Sequence, residues 1–119
     1  MFGVEGFVIT LSRGDTGAIK FTANTEYTFD SADRGLFSVK NAVGEVVKQI
    51  ASALDENKSF VVNFFNADTD MLAAGAYQWD VRYIIHPYYD ASGKIVDGDQ
   101  VITPKRPMEM QLLQVVGEV

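Results

Sequence analysis

The feature that most constrains this chain is alternation. From Ala76 to His86 every second residue is large and apolar or aromatic: Tyr77, Trp79, Val81, Tyr83 and Ile85. Gln78, Asp80 and Arg82 stand between them. Side chains of a strand point alternately to opposite faces, so this spacing presses one face on a core and leaves the other polar. A helix would scatter the same rings around its circumference. The period recurs in Phe7/Ile9/Leu11, Ile19/Phe21/Ala23, Phe37/Val39 and Phe60/Val62/Phe64. Clusters of turn-forming residues separate these segments: Arg13 to Gly17, Asp30 to Gly35, Asn66 to Asp70, Asp90 to Gly93, and Asp97-Gly98. Strands are predicted near 6–12, 18–23, 27–29, 36–41, 58–66, 76–86, 100–103 and 108–116, with a corner at Met71 to Gly75. Residues 42–54 carry two patterns. Val43, Val46, Val47, Ile50, Ala51 and Leu54 share a helical face, but Val-rich sequence also suits strands. The neighbouring strands favour a strand from about Glu45 to Ala51.

Short strands with frequent turns predict an all-β fold, a sandwich or barrel. With 119 residues one domain is expected, and the 47% apolar content, with eight Phe, five Tyr and one Trp, supplies a core. That core should include Phe7, Ile9, Phe21, Phe37, Phe60, Val62, Phe64, Tyr77, Trp79 and Tyr83. The chain has no cysteine, which excludes disulfides, thiolate metal sites and a cysteine nucleophile. Its single histidine excludes a multi-histidine metal site within one chain. No cofactor is expected.

Ten Lys and Arg against sixteen Asp and Glu give a net charge of −6. Nucleic-acid binding needs clustered cations, and the densest basic pair is Lys105-Arg106 between Pro104 and Pro107. A nucleic-acid partner is therefore not expected. Nor is a membrane, since no apolar run approaches the ~20 residues of a spanning helix. The N-terminal residues lack the basic and apolar regions of a secretion signal, so synthesis in a cytosol is expected. Without secretion, the sequon Asn57-Lys58-Ser59 and the tripeptide Arg13-Gly14-Asp15 carry no meaning.

Leu72-Ala73-Ala74-Gly75-Ala76-Tyr77-Gln78-Trp79 reads as a crossing between two sheets. Gly75 relieves the backbone, and the Tyr77 hydroxyl can reach back to stabilise the corner, as in the tyrosine corner of immunoglobulin-like sandwiches. Trp79 stands where an immunoglobulin domain has a core cysteine, and its ring fills that space instead. The structural motif is thus Gly75, Tyr77, Trp79 and Asp80, together with the turn Gly14, Asp15 and Thr16.

Three stretches resemble one phage family. The first is a strand ending in Arg13-Gly14-Asp15-Thr16, followed by Ile19-x-Phe21. The second is Asp68-Thr69 with Leu72, Gly75, Tyr77 and Trp79-Asp80-Val81. The third is the Thr103-Pro104 loop entering an apolar last strand. Together they resemble the N-terminal domain of phage baseplate upper proteins and their small prophage relatives, over roughly Val8 to Val116. The resemblance implies an immunoglobulin-like antiparallel β-sandwich of about eight strands that joins other tail or baseplate proteins. Homo-oligomers are compatible with such symmetric assemblies. It implies a bacterial cytoplasmic product that ends in the virion, and no catalytic residues. In the family further modules follow this domain; a chain closing at Val119 is expected to act as a free-standing structural module.

Two other function classes are open to the residues. Asp15-Thr16-Gly17 matches the motif of retroviral-type aspartic proteases, in which two chains each supply one Asp of a proton-sharing pair. Val115-Val116-Gly117 could stand for their apolar-apolar-Gly segment. Against this, Ser12-Arg13-Gly14 before the Asp is polar and charged, and no Gly-rich flap follows. A carbohydrate-binding β-sandwich is the other class, and it would present exposed, coplanar rings. Asn66-x-Asp68-x-Asp70 begins like a calcium loop, but Met71 and Tyr77 replace the Gly and Glu that an EF-hand needs. Asp97-Gly98-Asp99 is a turn signal first and a loose oxygen site second. His86 lacks a Gly-x-Ser-x-Gly elbow for a serine triad. No pair of acids stands out for glycoside hydrolysis. His86, Tyr88 and Tyr89, near a hairpin tip, are the candidate contact surface.

Overall fold

The computed structural model describes residues 2–5, 8–23, 25–70, 72–103 and 111–116. The elements in chain order are β1 (Phe2–Glu5), β2 (Val8–Ser12), β3 (Gly17–Thr22), β4 (Arg34–Lys40), β5 (Val46–Ala53), β6 (Ser59–Phe64), α1 (Asn66–Asp70), β7 (Gly75–Tyr89), β8 (Ile95–Ile102) and β9 (Gln111–Val116). Among the described residues the strands form a seven-stranded sheet, β1-β2-β9-β7-β4-β5 with β8 also on β7, and a two-stranded sheet, β3-β6. The β2–β9 pair is parallel, and the other pairings are antiparallel.

The 15-residue β7 organises the large sheet. Its first part, Gly75 to Trp79, pairs with β9. Gln78 to Ile84 pair with β4 on the other side, and Tyr83 to Tyr89 pair with β8. The alternation works as expected up to Tyr83: Trp79, Val81 and Tyr83 are buried and Tyr77 is half-buried, whereas Ile84 and Ile85 are both buried, so both faces of the strand are covered there.

Side chains from the two sheets meet in one core. Phe21 of β3 lies 5.9 Å, centroid to centroid, from Phe37 of β4 and 5.4 Å from Trp79 of β7. Phe60 of β6 meets Tyr83 edge-on at 5.6 Å, and Phe64 meets Phe37 edge-on at 5.5 Å. Rings this close prefer offset or edge-to-face geometry, which adds about 0.5–1.5 kcal/mol per pair beyond buried area. Gly35 opens the space for one of them, since a Cβ there would lie 2.2 Å from the Phe60 ring.

Within residues 42–54 the ambiguity resolves as a strand rather than a helix: residues 42–44 form a turn, and β5 pairs with β4 from Val46 to Ala53, with a bulge at Val39/Lys40. Three expectations need correction. Tyr27 to Phe29 is irregular rather than a strand. Its alternation reflects two rings on one side, Tyr27 on Phe29 at 5.2 Å and Phe29 on Tyr83 at 5.7 Å, without a backbone ladder. Asp97-Gly98 is not a turn but lies inside β8, with Gly98 opposite Pro87. Glycine is needed there for close approach, because a Cβ would lie 2.5 Å from Ile84 Cγ2 and 2.9 Å from the Ile85 carbonyl oxygen. Asn66 to Asp70 forms the helix α1 in place of a turn: Asp68 Oδ2 accepts the Phe65 N–H at 2.8 Å and caps its first turn. Phe7 and residues 108–110 lie outside the described residues.

Tyr83 is 1% exposed, and its hydroxyl has no hydrogen-bond partner among the described residues. Burial pushes the phenol up to about 12 from 10.0. The neutral phenol is favoured in the fold, so this contribution is complete below pH 10 and declines as pH rises toward 12. The loss should total on the order of 2–3 kcal/mol. Tyr83→Phe is expected to match or exceed the wild-type stability at neutral pH, because it removes an unpaired buried hydroxyl. It should also lose less stability above about pH 10. Urea unfolding of both proteins at about pH 8 and about pH 11 measures this; parallel losses would refute it.

Candidate functional site

The sequence places one histidine in the chain, and the fold surrounds it with carboxylates. His86 stands on β7 directly opposite Asp99 of β8, between the pairs Ile85↔Gln100 and Pro87↔Gly98. Its Nδ1 lies 3.2 Å from Asp99 Oδ2. Its Nε2 lies 2.8 Å from Asp30 Oδ2, in the loop between β3 and β4. Its backbone N–H donates to Asp33 Oδ1 at 3.0 Å. The β4–β7 ladder ends at Arg34↔Ile84, so the Asp33 carboxylate replaces the carbonyl that a longer β4 would have offered.

Asp33 is fully buried, and its Oδ2 accepts the Asp30 N–H at 2.8 Å. The Asp30 carbonyl accepts the Asp33 N–H at 3.2 Å, and Asp30 Oδ1 accepts the Ala32 N–H at 2.8 Å. The loop is thereby closed on itself before it reaches His86. Tyr88, two residues along β7, donates its hydroxyl to Asp99 Oδ1. Hydrogen bonds from the His86 ring, then from the Ala32 N–H, hold the Asp30 carboxyl below its ordinary value. Hydrogen bonds to Asp30 and then Asp99 raise the His86 imidazole above its ordinary value. Burial, then the charges of Asp33, Asp30 and Asp99, raise the nearby Tyr27 phenol.

Ligand-type atoms of Asp30, Asp33 and His86 lie within 4.8 Å of one another. Each of these atoms already faces a hydrogen-bonding group of the chain, however, and the cluster reads as a clasp between loop, β7 and β8 rather than as a metal centre.

The contact residues expected at the hairpin tip are exposed: Tyr88 is 52% and Tyr89 50% accessible. They lie beside a tight turn in which Asp90 Oδ1 accepts the N–H groups of Ser92 and Lys94. The motif residues sit elsewhere. Gly14, at φ 85°, and Asp15 form the turn between β2 and β3. Asp15 Oδ2 accepts the Ser12 N–H at 2.9 Å, so the carboxylate closes its own turn. Thr16 is exposed beside it. Helix α1 holds this turn from below: Asn66 Nδ2 donates to the Gly14 carbonyl and Thr69 Oγ1 to the Asp15 carbonyl, both at 2.9 Å. Gly75 takes φ 151°, which side chains rarely adopt, and the Tyr77 hydroxyl donates to the Ala73 carbonyl at 2.7 Å, the bond expected at this corner. Trp79 is in the core, and Asp80 faces outward between Lys40 at 3.7 Å and Arg82 at 3.9 Å.

Comparison with family models, with curated proteins and with solved structures finds no match to this chain.

Sequence reasoning singled out His86 but missed Asp30 and Asp33, and it placed Asp99 only in a loose oxygen site. Asp30 and Asp33 come from a polar loop some fifty residues earlier, and nothing local ties them to His86. Asp99 was hidden by the misread Asp97-Gly98 turn.

Proposed function

We propose that this chain is a non-catalytic structural and interaction module of a phage or prophage tail or baseplate. It would be made in the bacterial cytoplasm, assembled into the virion, and act through protein–protein contacts. In this reading the fold is an immunoglobulin-like β-sandwich. The order β9-β7-β4-β5 facing β3-β6 corresponds to strands G-F-C-C′ facing B-E of a variable-type immunoglobulin domain. The parallel β2–β9 pairing and the Tyr77–Ala73 hydrogen bond agree with it.

The observation that carries the tail reading is a contact between two separate family-like segments. The Arg13-to-Thr16 turn and Asp68-Thr69 are more than fifty residues apart, yet Thr69 Oγ1 donates to the Asp15 carbonyl. In this reading the two segments belong to one shared fold, and their meeting supports it. Partners would be other tail proteins or further copies of this chain. The surfaces offered are the edge strand β5, with Val46 and Val47 exposed, and the hairpin tip with Tyr88 and Tyr89. The test is to purify phage particles from the host that encodes the chain and to look for it in them by mass spectrometry. Stoichiometric presence in intact tails, and tail-assembly failure on deletion, are expected. Absence from the particles would end the reading.

A further inference from the structure

Both ring nitrogens of His86 face carboxylate oxygens, at 2.8 Å and 3.2 Å. A neutral imidazole has one N–H and one lone pair. In either neutral tautomer one nitrogen would point its lone pair at an anion. Only the imidazolium donates to both, so a proton is a component of this arrangement. The two acceptors belong to different elements, Asp30 to the β3–β4 loop and Asp99 to β8. The same residue holds φ 48°, a left-handed backbone that persists only where tertiary contacts impose it, and it precedes Pro87.

We propose that His86 is a proton-operated clasp: charged, it fastens the Asp30–Asp33 loop and β8 to β7, and its deprotonation releases the hairpin that carries Tyr88 and Tyr89. The groups around it act as follows. From the loop come Asp30 and the buried Asp33. Arg34, at the start of β4, is turned to the Ser31 and Asp33 carbonyls at 2.7 Å and 2.9 Å. From the preceding segment comes Tyr27, whose phenol feels the same three carboxylates. From β8 comes Asp99, shared with the Tyr88 hydroxyl of β7. Three carboxylates around one imidazole favour its charged form.

The sign follows from the direction of each shift. His86 lies above 6.5 in the fold, so its contribution is complete below pH 6.5 and disappears as pH rises through the folded midpoint. Asp30 lies below 3.8, so its contribution is complete above pH 3.8 and disappears as pH falls through its own folded midpoint. The clasp is therefore closed in the mildly acidic range and opens on the alkaline side. This device does not depend on the tail reading.

The experiment is an NMR titration of the His86 ring in the full chain, with amide exchange corrected for its intrinsic pH dependence. The ring midpoint is expected above 6.5, and Asp30→Asn and Asp99→Asn should each lower it. On passing the midpoint, exchange of the His86 amide and of the Tyr88–Tyr89 tip should speed up roughly tenfold for each unit by which the midpoint is displaced. Amides where β4 meets β7 should not respond. His86→Asn tolerates the left-handed backbone but cannot titrate, and its hairpin exchange should be fast and independent of pH. If that variant fails to fold, Asp99→Asn is the second test: its ring still titrates against Asp30, and both its midpoint and the pH response of its hairpin exchange should be smaller than in the wild type. A midpoint at or below 6.5, or one that neither carboxylate variant moves, would overturn the proposal.

Discussion

Phe37→Ala is expected to lower the unfolding free energy by about 3–5 kcal/mol. Phe37 is wholly buried at the centre of β4. Its ring stacks on Trp79 at 5.6 Å and Phe21 at 5.9 Å and meets Phe64 edge-on at 5.5 Å. These neighbours belong to β7, β3 and β6, so one ring links both sheets. Truncation loses the transfer free energy of the ring and leaves a hole that rigid strands cannot close. Domains of this size are stable by about 5–15 kcal/mol, so the loss is a large fraction of the whole. Urea unfolding should show a much lower midpoint with an unchanged slope. Phe65 is the control: it is 65% exposed, and its alanine variant should stay within about 0.5 kcal/mol of wild type. Similar losses at both positions would mean that Phe37 does not link the two sheets in the core.

Asp33→Ala should cost about 2–6 kcal/mol, because it strands two backbone amides at about 1–3 kcal/mol each. Asp33 is fully buried and accepts the N–H groups of Asp30 and His86. Its role is to finish the β4–β7 ladder one residue past the end of β4 and to hold the loop that carries Asp30. Asp33→Asn keeps one acceptor but turns an amide N–H toward a backbone N–H, so a smaller loss is expected. Amide exchange should localise the damage to Asp30, His86 and the β7–β8 hairpin before the rest of the large sheet. An alanine variant as stable as wild type would show that water replaces the carboxylate at both amides.

Several strands could be read from local pattern because the signal is local. Trp79, Val81, Tyr83 and Ile85 alternate within a single strand, and burial of one face selects that spacing whatever the partner strands are. Phe60, Val62 and Phe64 behave in the same way. At β5 the helical face of Val43, Val46, Val47, Ile50, Ala51 and Leu54 was a local signal too, and pairing with β4 overrode it. At Asp97-Gly98 the composition of a turn misled, because glycine there answers a crowding by Ile84 that belongs to another strand.

The histidine cluster shows the same limit more sharply. A hairpin counted straight back from the turn pair Tyr89↔Ile95 would set His86 opposite Gly98. The bulge between Tyr88 and Tyr89 shifts the register by one and sets it opposite Asp99. Whether His86 faces a glycine or an anion depends on that single extra residue. Asp30 and Asp33 reach the same place only because β4 ends beside Ile84.

The amino-acid order alone determined a mostly β chain, many of its buried faces and most of its turns, since alternation and turn chemistry act between residues a few positions apart. Only the tertiary structure decided which strands are neighbours, which register they keep and therefore which charges surround His86. Those choices depend on contacts between residues about fifty positions apart, whose free energy is not encoded in any one segment.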